Sequence, residues 1–105
     1  MSGDPLLDEL RVRFRATTEI RLQEMGVLLD ALDRNAGDSA SLKKLALHFH
    51  ALSGMGATYG YPRISELGEE GESALLPMAA SNATFSERGR WRELVAAIAR
   101  ELRAG

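Results

Sequence analysis

The sequence has 105 residues, of which 45% are hydrophobic and 27% are charged. This balance is typical of a globular protein, and we expect residues 1–105 to form one domain, too short for separate nucleotide and substrate domains. The net charge of −2 argues against a dedicated nucleic-acid binder. We therefore interpret the clustered Arg11, Arg13 and Arg15 first as solvated helix positions and only second as a docking patch for an acidic partner.

The chain has no cysteine, which excludes disulfides and thiolate metal sites and fits a reducing compartment. Its first residues lack the basic start and apolar run of a signal peptide. No stretch approaches the roughly 18 apolar residues of a membrane helix. These features predict a cytoplasmic protein that does not contact a membrane.

Helix-capping residues mark the first two predicted helices. Asp4 is a good N-cap, and apolar residues then recur at helical spacing, which predicts a helix over residues 4–33. Asp38 or Ser39 caps the second helix, predicted over residues 39–59 and ended by Gly60.

The third predicted helix, over residues 62–76, contains two glycines. Gly68 and Gly71 each lower helix propensity by about 1 kcal/mol relative to alanine, which suggests close packing against a neighbouring helix. Pro77 disfavours the helical conformation of the residue before it, so we expect the helix to end there.

A loop over residues 77–84 is predicted to precede the last helix. Thr84 and Glu87 fit a capping box, which predicts a helix over residues 85–103. No segment shows sustained alternation of apolar and polar residues. We therefore predict an all-α protein, an antiparallel up-and-down four-helix bundle.

The two histidines of the chain lie on the second predicted helix. If the core stripe is centred near Phe49, His48 and His50 fall on opposite flanks, because residues two apart on a helix point roughly 200° apart. This geometry disfavours a metal site made of both histidines and third-helix glutamates. We expect His48 to be a partly buried residue hydrogen-bonded to a neighbouring helix, and no metal or other cofactor.

His50 has the features of an accessible nucleophile. Gly54 lies one turn later on the same face and leaves the imidazole open to a bulky partner, although close helix packing or a helix end explains a glycine more simply. Neutral imidazole is a competent nucleophile near pH 7. Its other nitrogen can donate to a carboxylate of the third helix, which offers four, most of them expected to be simply solvated: Glu66, Glu69, Glu70 and Glu72.

The segment over residues 50–61 reads His-Ala-Leu-Ser-Gly-Met-Gly-Ala-Thr-Tyr-Gly-Tyr. It resembles the signature of histidine-containing phosphotransfer (HPt) domains, with an apolar residue two positions, a glycine four positions and a second glycine ten positions after the histidine. The aromatic-glycine-aromatic ending is similar to the ending of this motif in the N-terminal phosphotransfer domain of chemotaxis histidine kinases. The chain length, the four-helix layout and the place of the motif on the second helix agree with this resemblance.

The resemblance implies a phosphocarrier in a two-component phosphorelay. His50 would carry a phosphoryl group on Nε2 and exchange it with an aspartate of a response-regulator receiver domain, and a sensor histidine kinase would be the other partner. Glu72 matches the glutamate that hydrogen-bonds the other ring nitrogen in the chemotaxis type. Glu69 falls where that type can have a second histidine.

One position departs from the family pattern. The family usually has a lysine three residues after the histidine, where this chain has Ser53, which forms hydrogen bonds but supplies no charge. Lys43, two turns earlier on the face of His50, compensates only in part and is better placed to contact a partner. The alternative is a degenerate helical interaction module that binds a receiver or kinase without carrying phosphate. The sequence has no phosphate-binding loop, catalytic triad or cysteine nucleophile typical of a self-contained enzyme.

Overall fold

The computed structural model describes residues 5–75 and 83–104, which form four α-helices and no strand. A short 3₁₀ helix, Ala57–Tyr59, lies between the second and third α-helices. The α-helices are α1 (Pro5–Arg34), α2 (Ser39–Met55), α3 (Pro62–Leu75) and α4 (Phe85–Ala104). The all-α prediction is confirmed. No helix within the two described segments has the length and apolar character that crossing a bilayer requires.

The four helices pack side by side in a ring, α1 on α2, α2 on α3, α3 on α4 and α4 on α1. The connections at residues 35–38 and 56–61 are short, so α1 and α2 run antiparallel, as do α2 and α3. The Ala83 N–H donates to the Ala36 carbonyl at 3.0 Å, which places the start of α4 beside the end of α1. The molecule is 48 Å long and 20 Å wide. This is the predicted four-helix bundle. Its core consists of fully buried side chains from all four helices, including Met25, Leu29, Leu45, Phe49, Leu52, Ile64, Trp91 and Ile98.

Side-chain caps begin α2 and α4. The Asp38 carboxylate accepts the backbone N–H of Ser41 at 3.2 Å, so Asp38 rather than Ser39 caps α2. The Thr84 hydroxyl accepts the N–H of Glu87 at 3.1 Å, and the Glu87 carboxylate accepts the N–H of Thr84 at 2.8 Å. The predicted capping box is therefore confirmed. The predicted cap at position 4 and most of the predicted loop lie outside the described residues.

The α2 helix ends at Met55, four residues before its predicted end at residue 59. The Gly56 carbonyl accepts the N–H of Tyr61 at 2.8 Å instead of continuing the α-helical ladder. A Cβ on Gly56 would lie 2.7 Å from the backbone nitrogen of Ser65. The early end therefore depends on close contact with α3, which helical periodicity does not reveal.

The glycines of α3 allow it to pack closely against α2, as predicted. A Cβ on Gly68 would lie 2.6 Å from the backbone nitrogen of Ser53, and one on Gly71 would overlap the Phe49 ring. Neither helix could stay at this distance with a side chain at those positions. The resulting contact sets the edge of α3 beside the exposed face of α2.

The turn between α2 and α3 is anchored to α1. The Phe14 ring stacks on the rings of Tyr59 and Tyr61, with centroids 5.2 and 5.5 Å apart. The Arg11 side chain donates from Nε to the Tyr59 carbonyl at 3.2 Å. These contacts fix how α3 leaves α2, and so they help to position the two faces that form the site.

Candidate functional site

His50 projects from α2 into solvent beside α3. Its neighbour Phe49 is fully buried, so the next residue along the helix points outward, and the His50 side chain is 69% exposed. Nδ1 of His50 lies 2.6 Å from Oε2 of Glu72 on α3. Because a carboxylate only accepts, Nδ1 carries the proton, and in the neutral ring Nε2 keeps its lone pair. The arrangement holds an imidazole at one nitrogen and leaves the other available as a nucleophile.

The His50 ring lies at the edge of an open groove between α2 and α3, here called the His50 groove. Its lining is mainly apolar and consists of Leu42, Lys43, Ala46, Leu47, His50, Glu72 and Leu75. Leu47 is one turn before His50 and is exposed. Leu47 therefore extends the apolar lining of the groove next to the ring.

Gly54 adjoins this face and packs against nothing. A Cβ placed on it would have no atom of another element within 4 Å. The explanation that Gly54 allows close helix packing is therefore wrong. Gly54 lies in the last turn of α2, so the explanations that remain are a helix end and open access to the imidazole.

The other predicted supporting residues do not contact the imidazole. The Ser53 hydroxyl donates to the His50 carbonyl at 2.7 Å and so bonds its own helix backbone. Lys43 precedes His50 by seven residues, about 10 Å along the axis, and Glu69 is exposed. Within the described residues, Glu72 is the one predicted supporting side chain in contact with the ring.

Two other glutamates of α3 belong to surface ion pairs. Glu66 lies 3.8 Å from Arg63 of the same helix. Glu70 pairs with Arg90 of α4. They contribute to the helix surfaces rather than to the His50 groove.

His48 lies on the opposite flank of α2, against α1, and is 15% exposed. Its Nδ1 is 2.9 Å from Nη1 of Arg21, and its Nε2 is 3.2 Å from Oε2 of Glu24. A guanidinium only donates, so Nδ1 accepts, and the proton on Nε2 is donated to Glu24. The prediction of a partly buried residue bonded to a neighbouring helix is confirmed.

The environment of His48 favours the neutral ring. Burial lowers the pKa of His48 below its ordinary value of 6.5, the nearby Arg21 guanidinium lowers that pKa further, and the Glu24 carboxylate opposes both. No cluster of three side chains able to ligate a metal occurs in the described segments. The two histidines thus have separate partners, Glu72 for one and the α1 pair for the other.

A family model described as Hpt domain matches residues 9–102. The chain belongs to the Hpt family. Hpt domains are phosphocarriers of two-component systems rather than ATP-dependent catalysts, and they interact with receiver domains and histidine kinases. No curated protein and no solved structure showed significant similarity to the chain. The predicted family is confirmed, and the similarity to the chemotaxis type stays a prediction.

Sequence reasoning missed the partners of His48 and gave Leu47 no role. Arg21 and Glu24 are three residues apart on α1 and so share a face, which was the available signal. Periodicity alone does not say which neighbouring helix that face meets. The place of Leu47 at the His50 groove depends on how α2 and α3 pack, which helical periodicity does not reveal.

Proposed function

We propose that this Hpt domain carries a phosphoryl group on His50 and exchanges it with an aspartate of a response-regulator receiver domain. The observation that carries the proposal is the exposed imidazole of His50 held at Nδ1 by Glu72. A sensor histidine kinase is the other partner, and it binds the ATP that supplies the phosphoryl group. The domain itself then needs no nucleotide site or cofactor.

The transfer follows from the ring geometry. The Nε2 lone pair of His50 attacks the phosphorus of the receiver's aspartyl phosphate, the N–P bond forms, and the acyl-phosphate O–P bond breaks. The aspartate leaves as a carboxylate, and the reverse reaction returns the phosphoryl group. Nε2 gives up its lone pair while the proton stays on Nδ1, so the ring becomes positive. The Glu72 carboxylate is placed to stabilise that charge.

The surface around His50 suits the approach of a second protein. Donor and acceptor atoms must come nearly into contact and in line, which a long side chain beside the ring would prevent. Gly54 leaves that space open, and the exposed Leu47 offers an apolar contact on the same face. We assign Lys43, at the far end of the His50 groove, to contact with the partner rather than with the phosphoryl group.

The chain offers its own matched control, since it contains two histidines. The full chain is incubated with its cognate kinase and radiolabelled ATP, and then with the receiver. We expect acid-labile, base-stable label on the wild type and on His48→Gln, and none on His50→Gln. Label that survives His50→Gln, or that disappears only in His48→Gln, contradicts the assignment.

A second candidate function is a binding module that carries no phosphate. The observation in its favour is that Ser53, which supplies no charge, donates its hydroxyl to the helix backbone. Calorimetric titration with the receiver distinguishes the two functions. Receiver binding by a wild-type chain that takes up no label, with the kinase shown to be active on itself, supports the binding module and rejects the carrier.

A further inference from the structure

Phe49 and Gly71 face each other where α2 packs on α3. The Phe49 ring is fully buried and lies directly against the backbone of Gly71. A Cβ on Gly71 would be 2.5 Å from Cε1 and 2.6 Å from Cγ of that ring. Because a close-packed core leaves a buried ring little room to move, this contact fixes how close the two helices lie at this level.

The same contact adjoins the candidate site on both helices. His50 follows Phe49 on α2, and Glu72 follows Gly71 on α3, so each site residue lies within about 1.5 Å of the contact along the axis of its helix. Nδ1 of His50 is 2.6 Å from Oε2 of Glu72. The separation of the helices at Phe49 and Gly71 is therefore also the separation that this hydrogen bond has to span.

A side chain at position 71 would widen this separation. Favourable contacts between carbon atoms begin near 3.5 Å, so a methyl group on Gly71 would displace α3 from the Phe49 ring by about 1 Å. A hydrogen bond of 2.6 Å that lengthens by that amount passes the limit of about 3.5 Å. The Glu72 side chain is only 25% exposed, so it has little freedom to follow the imidazole. The absence of a side chain at position 71 thus bears directly on the His50 ring.

We infer that Gly71 is a positioning residue for His50. Its backbone accepts the Phe49 ring and so sets α3 at the distance from which Glu72 holds the proton on Nδ1 and leaves the lone pair on Nε2. Gly71 has no side chain that could touch the imidazole, and it acts through Glu72. The consequence for phosphotransfer rests on the function proposed above, whereas the position of the proton can be measured with no phosphate present.

Nitrogen-15 NMR of the full chain reports which nitrogen of the neutral His50 ring carries the proton. We expect Gly71→Ala to lower the ratio of Nδ1 to Nε2 protonation at least about tenfold, as the loss of a hydrogen bond to a charged group implies. The background chain contains Gly26→Ala and Gly89→Ala, which meet no neighbour and gain helix propensity, and so offset the destabilisation by overpacking.

That background chain without Gly71→Ala is the matched control, and it is expected to keep the proton on Nδ1. Circular dichroism checks that both chains are helical. A folded Gly71→Ala chain that keeps the proton on Nδ1 overturns the proposal.

Glu72→Asp tests the same distance without adding a methyl group to the core. Aspartate is shorter by one methylene, about 1.5 Å, and the contact between Phe49 and Gly71 prevents α3 from moving closer. We expect the proton to leave Nδ1 as it does in Gly71→Ala. A Glu72→Asp chain that keeps the proton on Nδ1 shows that the helix separation adjusts, and it overturns the proposal even where Gly71→Ala does not fold.

The rate of label transfer to the receiver separates positioning from a general structural effect. Gly71→Ala is expected to slow the transfer about tenfold and to leave the dissociation constant for the receiver within about twofold of the wild type. In a Glu72→Gln chain the same substitution is expected to slow transfer no further, because the link to His50 is already lost. Equal slowing in both chains contradicts action through Glu72. A wild type that transfers no label rejects the proposed function, while the NMR measurement still decides on Gly71.

Discussion

His48 and His50 lie two residues apart on α2, yet they occupy opposite environments. His50 is exposed, and Glu72 of α3 holds its Nδ1, whereas His48 is largely covered and lies between Arg21 and Glu24 of α1. Phe49 lies between them in the sequence and is buried in the core. His48 therefore lies on the α1 side of α2, and His50 lies on the α3 side. The positions of the two histidines around one helix thus give two identical side chains different partners and different exposure.

The partners of each ring decide which chemistry it can do. A phosphorylated imidazole gains positive charge, which a carboxylate stabilises and a guanidinium opposes. The ring partner of His50 is a carboxylate, whereas His48 lies between the Glu24 carboxylate and the Arg21 guanidinium, from which its Nδ1 accepts. The residue type alone therefore does not identify a phosphorylation site. We expect exposure and the balance of neighbouring charges to do so, and the following predictions test that difference.

The largest expected effect is the loss of the carboxylate beside His50. Glu72→Gln removes the charge that fixes and stabilises the ring, and a hydrogen bond to a charged group contributes about 1.5–3 kcal/mol. We expect phosphotransfer between His50 and the receiver to slow about 10- to 100-fold. The measurement is the rate of label transfer in rapid-quench experiments.

Glu24→Gln is the matched control, because it removes the same charge beside His48. We expect it to leave the transfer rate within about twofold of the wild type. Equal slowing by the two substitutions would mean that the effect comes from the general acidity of the surface. It would remove the special role of Glu72.

Gly68 and Gly54 near the site likewise have opposite environments. Gly68→Ala forces a methyl group against the backbone of Ser53, and overpacking typically costs about 1–3 kcal/mol, more than the gain in helix propensity of roughly 1 kcal/mol. Gly54→Ala meets no neighbour and gains up to about 1 kcal/mol. We expect the urea midpoint to fall in the first variant and to rise or stay constant in the second.

A fall in both urea midpoints would show that Gly54 also has a packing role. A rise in both would mean that α2 and α3 can separate at little cost. Either result would contradict the separation between the packed side and the open side of α2. Far-ultraviolet circular dichroism reports whether helical content is preserved.

The glycines of α2 and α3 also show which features of the fold could be predicted from the sequence. Gly68 and Gly71 interrupt a helical pattern, so a close neighbour was predictable, and the apolar periodicity was sufficient for the four-helix bundle. The early end of α2 at Met55 was not predictable, because it depends on the distance between Gly56 and Ser65 of another helix. Local patterns report on one helix at a time.

In the candidate site, too, features set by one helix were predictable and features set by the packing of two helices were not. The place of His50 on an outer flank followed from helical phase alone. Glu72 was selected among four glutamates by family resemblance, since the contact depends on how α2 and α3 are set against each other. The orientation of the Ser53 hydroxyl towards the backbone was not predictable, because a serine in a helix can turn either way.

A smaller effect is expected from adding a cation beside His50. Ser53→Lys places an ammonium group one turn from the ring, and a charge pair near 4 Å in water is worth about 1 kcal/mol. We expect hydrolysis of the phosphorylated His50 to slow about fivefold, measured as decay of label from the purified phosphoprotein. Ala96→Lys on α4 adds the same charge far from the site and is expected to leave the decay unchanged. Equal decay in wild type and Ser53→Lys contradicts a stabilising role for a cation at that position.

The smallest expected effect is the pH dependence of the fold on the His48 side. The pKa of His48 is lowered in the native state by burial, with Arg21 contributing in the same direction. As the pH falls through the ordinary value of 6.5, the unfolded chain takes up a proton that the native ring resists. We therefore expect the free energy of unfolding to be unaffected above that pH and to decline below it. Urea titrations at a series of pH values measure the decline.

His48→Gln and His50→Gln separate the two rings in this experiment. A glutamine cannot titrate, so His48→Gln is expected to lose its share of the decline while His50→Gln keeps it. Both variants retain every carboxylate, so acid titration of those groups is common to the two curves. A decline that is kept in His48→Gln and lost in His50→Gln would contradict the assignment to His48. In that case burial against α1, with the Arg21 charge beside it, would not be what lowers the pKa of His48.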